Sequence, residues 1–209
     1  MSIGNSENRI IETDKDSLEQ AVDVLAAAFF NDTLVRYTLS AHSEGYPERV
    51  RVMFRFFCGM YLTLGLPVIG VVQDRVPVGI ACLSVPGEKK WPETLVKEAS
   101  ECNEFLGKKA VERMSGCEAL KKKYAPDRPY CYLAALGVHP DYQGRGLAGL
   151  LLDRTHEISG GSRDSSGVYL ETASMKNVDM YRHFGYNLIS KDSLENTVDL
   201  WYLFRPENE

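Results

Sequence analysis

The sequence predicts one α/β domain in which a mixed β-sheet is flanked by helices, and three observations carry that expectation. Its 209 residues suffice for one domain with a substantial core and are few for two. An apolar share of 44% and a charged share of 25% are ordinary for a globular chain. β-branched runs alternate with stretches of helical periodicity, and no repeat, low-complexity tract or interdomain linker interrupts them.

The elements follow in order. Residues 1–8 read as a polar, flexible leader without the apolar segment of a secretory signal. Arg9-Ile10-Ile11-Glu12 reads as a short first strand. Asp14 or Asp16 then caps a helix whose apolar residues, Leu18, Ala21, Val22, Leu25 and Ala28, recur at three- and four-residue steps. Asn31-Asp32-Thr33 breaks that helix. A second begins near Pro47, a good first-turn residue, and runs to Gly65 with Pro67 as a stop. Residues 68–72 and 78–85 form a hairpin across residues 73–77, where no Asn-Gly type turn signal appears. Residues 91–106 and 108–123 are amphipathic helices hinged at Gly107. Residues 130–138 are the clearest strand and residues 147–159 the clearest helix. A strand over 168–172, a short helix over 177–184 ended by Gly185, and strands over 186–190 and 198–204 complete the chain.

Composition excludes several functions. A formal charge of -5 argues against a nucleic-acid partner, and Lys121-Lys122-Lys123 fits a solvated helix end. Residues 50–69 form the longest apolar-looking stretch, but Arg51 and Arg55 interrupt it too often for a membrane span. Cysteines at 58, 82, 102, 117 and 131 are odd in number and lack CxxC pairing, which predicts free thiols in the cytoplasm. Cys58, Cys82 and Cys131 lie in apolar segments, as buried small hydrophobes do. The four histidines never fall at metal-ligand spacing, so no metal is expected.

The chemistry concentrates after the clearest strand. Glycines at 144, 146 and 149 let backbone N–H groups turn toward a ligand, and the helix that starts there adds the positive end of its dipole. Together they favour a pyrophosphate, with Arg145 as an available cation. A P-loop is excluded because no Gly-Lys-Ser/Thr follows the glycines. The dinucleotide fingerprint is matched literally by Gly144-x-Gly146-x-x-Gly149, with Glu171 roughly 20 residues downstream of the motif. That motif, however, needs its glycines directly at the strand exit, and Pro140-Asp141-Tyr142-Gln143 intervenes. Too little chain remains for further βαβ units, so a nicotinamide-dependent oxidoreductase is the weaker alternative.

The run from Leu136 to Ala148 resembles motif A of the GNAT acetyltransferases, whose Gln/Arg-x-x-Gly-x-Gly/Ala pattern is met by Gln143, Gly146 and Ala148. A second match lies at Leu170-Glu171-Thr172, Asn177, Tyr181 and Phe184-Gly185-Tyr186. The resemblance is strongest over residues 130–204. Within the superfamily, Cys131-Tyr132-Leu133 is similar to the Trp-Tyr-Leu strand entry of puromycin-acetyltransferase-like enzymes, with Cys in place of Trp. The resemblance implies a mostly antiparallel, twisted mixed sheet of about seven strands.

It also implies a set of roles. Leu136, Gly137 and Val138 would offer backbone groups to the pantetheine arm of acetyl-CoA. Gln143, Gly144, Arg145, Gly146, Leu147 and Ala148, with Gly149, would cradle the pyrophosphate. Asn177 would bond the cofactor near the pantetheine, and Tyr181 would protonate the departing thiolate. Asn177 and Tyr181 are spaced i,i+4, so they share one helix face, and a phenol is protonated at neutral pH as a general acid must be. Two plainer assignments compete: Asn177 as a helix N-cap and Tyr181 as a core aromatic. The strand over 130–138 carries no acidic residue, which leaves Glu171 or a water relay as the base.

The expected activity is therefore N-acetylation of a small-molecule amine, with peptide amines open and a CoA-binding sensor without turnover as the other alternative. Asp32, Tyr37, Trp91 and Trp201 are candidate acceptor-pocket residues.

Overall fold

A computed structural model describes residues 8–207. The expected leader lies outside the described residues except for Asn8, whose Oδ1 accepts a hydrogen bond from Gln73 Nε2 at 2.7 Å. The elements in order are β1 (Arg9–Glu12), α1 (Leu18–Phe29), α2 (Thr33–Thr38), α3 (Tyr46–Thr63), β2 (Val68–Gln73), β3 (Val76–Ser84), α4 (Glu93–Leu106) and α5 (Lys108–Tyr124). Then come β4 (Cys131–Val138), α6 (Leu147–Gly161), β5 (Gly167–Thr172), α7 (Met175–His183), β6 (Asn187–Leu194) and β7 (Val198–Pro206). The seven strands form one sheet in the order β1-β2-β3-β4-β5-β7-β6. Every neighbouring pair is antiparallel except β4 and β5.

Local chemistry explains where the elements begin. Of the two candidate caps for the first helix, Asp14 is the one used: its Oδ1 accepts the Ser17 N–H at 3.0 Å and starts a 3-10 turn that leads into α1. The expected break at residues 31–33 is followed at once by α2, because Asp32 Oδ1 accepts the Val35 N–H at 2.9 Å and caps a new helix. The hairpin between β2 and β3 closes through only two residues, Asp74 and Arg75. Both have positive φ (49° and 68°), the geometry of a type I′ turn without its usual glycine. β6 extends to Leu194, four residues beyond the expected end. It is one of the sheet's two edge strands, and its polar end is paired by Tyr124 Oη and Lys123 Nζ donating to Asp192 at 2.6 and 2.9 Å.

The sheet separates two cores. By strand alternation, β3 sends Ile80 and Cys82 to the side of α1 and α3, and Ala81 and Leu83 to the side of α6. On the α6 side, Leu147, Leu151 and Leu152 are fully buried, each contributing roughly 1.5–3 kcal/mol. A third cluster joins α5 to β5, β6 and β7, where the Tyr169 and Tyr202 rings stack 6.4 Å apart. Cys58, Cys82 and Cys131 are buried, and all five cysteines are free thiols.

Candidate active site

The site begins where two parallel strands part. β4 and β5 pair only at Cys131–Val168 and Tyr132–Tyr169. Beyond Tyr132, β5 stays on β7 as far as Thr172–Trp201, and β4 stays on β3 as far as Val138–Gly79. A bulge lies at the fork. Cys82 faces Ala135 while the next residue, Leu83, faces Leu133, so Ala134 is the extra residue. The bulge reverses the faces of β4: Leu133 belongs to the α6-side core and Ala135 to the α1-side core.

Past the fork, β4 has an open edge. His139 N–H donates to Val78 C=O at 2.8 Å, and alternation in an antiparallel ladder then turns Gly137 toward β3 and Leu136 and Val138 away from it. The outward Val138 carbonyl accepts Gln143 Nε2 at 3.0 Å, which ties the loop back to the strand. Gly137 has a different task. A Cβ there would lie 2.8 Å from Ala28 Cβ and 3.0 Å from Leu25 Cδ2, so the glycine lets α1 lie close on β4.

The loop that leaves β4 is a cradle of amides. Gly144 and Gly146 hold φ of 75° and 77°, the left-handed region that favours glycine. Around a Cβ at either position there is open space. Among the described residues, the N–H groups of residues 144–148 have no hydrogen-bond acceptor, and Gly146 begins α6 without a side-chain cap. Five free amides at the positive end of a 15-residue helix fit a pyrophosphate. Gly149 is occupied otherwise: its N–H donates to Gly146 C=O at 3.0 Å, and a Cβ there would meet the Phe184 ring at 3.1 Å. Arg145 Nη2 donates to Asp141 C=O at 3.0 Å, and its guanidinium lies 5.1 Å from the Tyr142 ring centroid.

At the fork lies a pocket of about 330 Å3 that brings Leu136, Glu171, Asn177 and Tyr181 together with Asp32. Asn177 sits inside α7, whose N-cap is Ser174, so it is not the cap; its Nδ2 donates to Thr172 Oγ1 at 3.4 Å. α7 ends as expected at Gly185 (φ 86°), where Tyr186 N–H reaches back to Tyr181 C=O at 3.1 Å. Tyr181 is 7% exposed and packs edge-on against Tyr186. Burial first, then the charges of Glu171 and Asp32, push its phenol well above the usual tyrosine range.

Glu171 is held by groups that sequence reasoning missed. Tyr132 Oη donates to Glu171 Oε1 at 2.7 Å, while Oε2 is shut off from solvent without a partner. Burial raises the carboxyl above its ordinary value, against the lowering effects of the Tyr132 hydrogen bond and the Lys121 charge. Lys121 is not simply solvated: its Nζ lies 4.3 Å from the Tyr132 ring centroid and 2.5 Å from Glu118. The period-two pattern of β4 hid Tyr132, because the bulge breaks that pattern at Ala134.

Of the four candidate acceptor residues, the pocket takes Asp32 alone. Tyr37 instead donates to Glu195 under the Arg113 guanidinium, Trp91 packs on Phe56, and Trp201 lies under Lys191. Among the described residues, no group of three or more His, Cys, Asp or Glu side chains could hold a metal ion. Nor is any helix there long and apolar enough to cross a membrane.

Comparison with known proteins agrees with this geometry. Residues 100–188 match the family model described as "Acetyltransferase (GNAT) domain". The fold is similar to that of the histone acetyltransferase HPA2 and related acetyltransferase of Corynebacterium glutamicum (TM-score 0.69, 16% identity, 97% of this chain and 98% of that one). It is similar too to a polyamine N-acetyltransferase of Drosophila melanogaster (TM-score 0.66, 17% identity, 95% and 98% covered). A third match is the PaiA N-acetyltransferase of Thermoplasma acidophilum, in complex with coenzyme A (TM-score 0.60, 13% identity, 96% and 99% covered).

Proposed function

We propose that this chain, whose residues 100–188 match the acetyltransferase (GNAT) domain model, is an N-acetyltransferase that moves an acetyl group from acetyl-CoA to a small primary amine. The observation that carries this is the fork between β4 and β5. It has the free amides of residues 144–148 at one end and Tyr181 with Glu171 at the other. One continuous sheet from β1 to β6 supports a single domain, and five free thiols suit a reducing, cytoplasmic setting.

Acetyl-CoA supplies an activated thioester. The amides of residues 144–148 bind its pyrophosphate, and the outward amides of Leu136 and Val138 align the pantetheine as an added strand would. Asn177 offers its side-chain amide beside that arm. An outward β4 amide near the bulge stabilises negative charge on the thioester carbonyl. Glu171, directly or through a water, takes the proton of the attacking ammonium. The new C–N bond forms as the C–S bond breaks, and Tyr181 hands its proton to the leaving sulfur. The second proton of the acylated nitrogen restores the Tyr181 phenol, and Glu171 releases its proton to water.

These two proton transfers are coupled. The Glu171 carboxylate is one of two charges that hold the proton on Tyr181. Once Glu171 has taken the amine's proton that charge is gone, and the phenol becomes the better acid when the thiolate leaves.

Thiol release from acetyl-CoA with an amine panel tests the proposal. Tyr181→Phe is expected to lower kcat by about a hundredfold or more while leaving the KM for acetyl-CoA within roughly twofold. Protection against thermal unfolding by CoA but not by NAD is the companion result. Protection by NAD alone would falsify the proposal.

A further inference from the structure

The pocket beside Tyr181 is unevenly lined, and we infer from it that the acceptor is a primary amine with an apolar, aryl-sized body and no carboxylate. This rests on the acetyl-transfer assignment above and narrows its acceptor. Two acids, Asp32 and Glu171, line the cavity, and no lysine, arginine or histidine does. Both acids line the same cavity as Tyr181, the residue assigned above to the leaving thiolate. Glu171 Oε2 is buried and lacks a donor, which an ammonium group would supply. Asp32 Oδ1 is occupied by the Val35 amide, but no cationic lining residue neutralises its charge.

Much of the remaining lining is apolar and aromatic: Phe29, Phe54, Phe56 and Phe57, with Met53 and Met114. Phe54 lies 5.2 Å from Phe29 and 6.4 Å from Phe57, ring centre to ring centre, so these side chains form a continuous wall. The cavity of about 330 Å3 is shared, through Leu136, Asn177 and Tyr181, with the acetyl end of the cofactor, which leaves space for a small acceptor. An aryl or alkyl body gains by leaving water for such a wall. A second ammonium, as in a polyamine, would lose its hydration against Phe and Met side chains that return less than they take. An α-carboxylate, as in an amino acid, would meet two acids and no cationic side chain in the lining.

The test compares 2-phenylethylamine, spermidine and phenylalanine on the full chain, by acetylation with acetyl-CoA and by calorimetric binding with CoA present. 2-Phenylethylamine is expected to exceed both others by about tenfold or more in kcat/KM and in affinity. Asp32→Asn keeps the helix cap, since Asn caps as well as Asp, and removes only the charge. It is expected to narrow the gap between 2-phenylethylamine and phenylalanine by about tenfold. Equal or tighter binding of phenylalanine or spermidine would overturn the inference, as would no binding of 2-phenylethylamine. Binding in the expected order without acetyl transfer would sink the transfer assignment and leave the acceptor class standing. Acetylation of spermidine alone would do the reverse.

Discussion

The two ends of the fork are built from different material. The cradle over residues 144–148 is made of backbone. Its amides come from five consecutive residues, its two left-handed glycines open the space, and its field comes from a helix end. The pocket is made of residues from α1, α2, α3, α4, α5, β4, β5 and α7, many of them far apart in the chain. A backbone site tolerates changes of side chain and fails on changes of conformation. A side-chain site does the opposite. The two ends should therefore respond to different substitutions.

Beside the Tyr181→Phe effect, the largest is expected at Glu171. Glu171→Gln keeps an oxygen to accept the Tyr132 hydroxyl and removes the charge and the base. The kcat/KM for an amine should fall about a hundredfold, with CoA affinity unchanged. In the unsubstituted protein, activity should fall on the acid side through a pKa above the ordinary glutamate value, because burial raises the Glu171 carboxyl. The stability effect runs the other way. With a folded pKa above the unfolded one, Glu171 contributes most below the unfolded value, and that contribution is lost as pH rises through the folded value. Glu171→Gln should therefore raise Tm at neutral pH, by roughly 2–4 °C per kcal/mol of desolvation relieved, and leave it unchanged in acid. Activity profiles and thermal melts from pH 4 to 8 read both. A Tm that falls at neutral pH would mean the carboxylate stabilises the fold.

Next in size are the cradle glycines. Gly144→Ala and Gly146→Ala each place a Cβ in open space, so neither creates a clash, but each imposes a left-handed cost of roughly 1–2 kcal/mol. The dissociation constant of CoA, measured by calorimetry, should rise about tenfold if the loop relaxes out of its bound shape. Binding of a small amine at the pocket should stay the same. An amine affinity that falls in step with CoA would show that the two ends are not separable.

The same difference of material decides what was legible in the sequence. Gly144, Gly146, the strand before them and the helix after them are contiguous, so their joint meaning can be read along the chain. That Asn177 and Tyr181 face one cavity was legible for a related reason, since one helical turn sets them on one face. The tight turn at Asp74-Arg75 was not, because neither residue advertises a positive φ. Nor was α2, since an aspartate cap marks a beginning as readily as an end. Gly137 and Gly149 read as ligand glycines, while the close approaches of Ala28 and Phe184 exist only once the chain has folded. The aromatic wall and the Tyr132–Glu171 bond depend on a bulge and on strands that part, and no local pattern announces either.

Arg145 gives the smallest expected effect and the sharpest contrast. Sequence reasoning offered it as the cation for a pyrophosphate, yet its guanidinium donates to Asp141 C=O at 3.0 Å and lies over the Tyr142 ring. That hydrogen bond braces the loop between β4 and the first cradle glycine. A solvent-exposed cation contributes little through space, about 0–1 kcal/mol, and salt screens it further. Arg145→Ala should therefore weaken CoA binding by about threefold or less, with the difference shrinking as salt is raised. A loss of tenfold or more at Arg145, with Gly146→Ala unaffected, would make the cradle a side-chain site and reverse the contrast between the two ends.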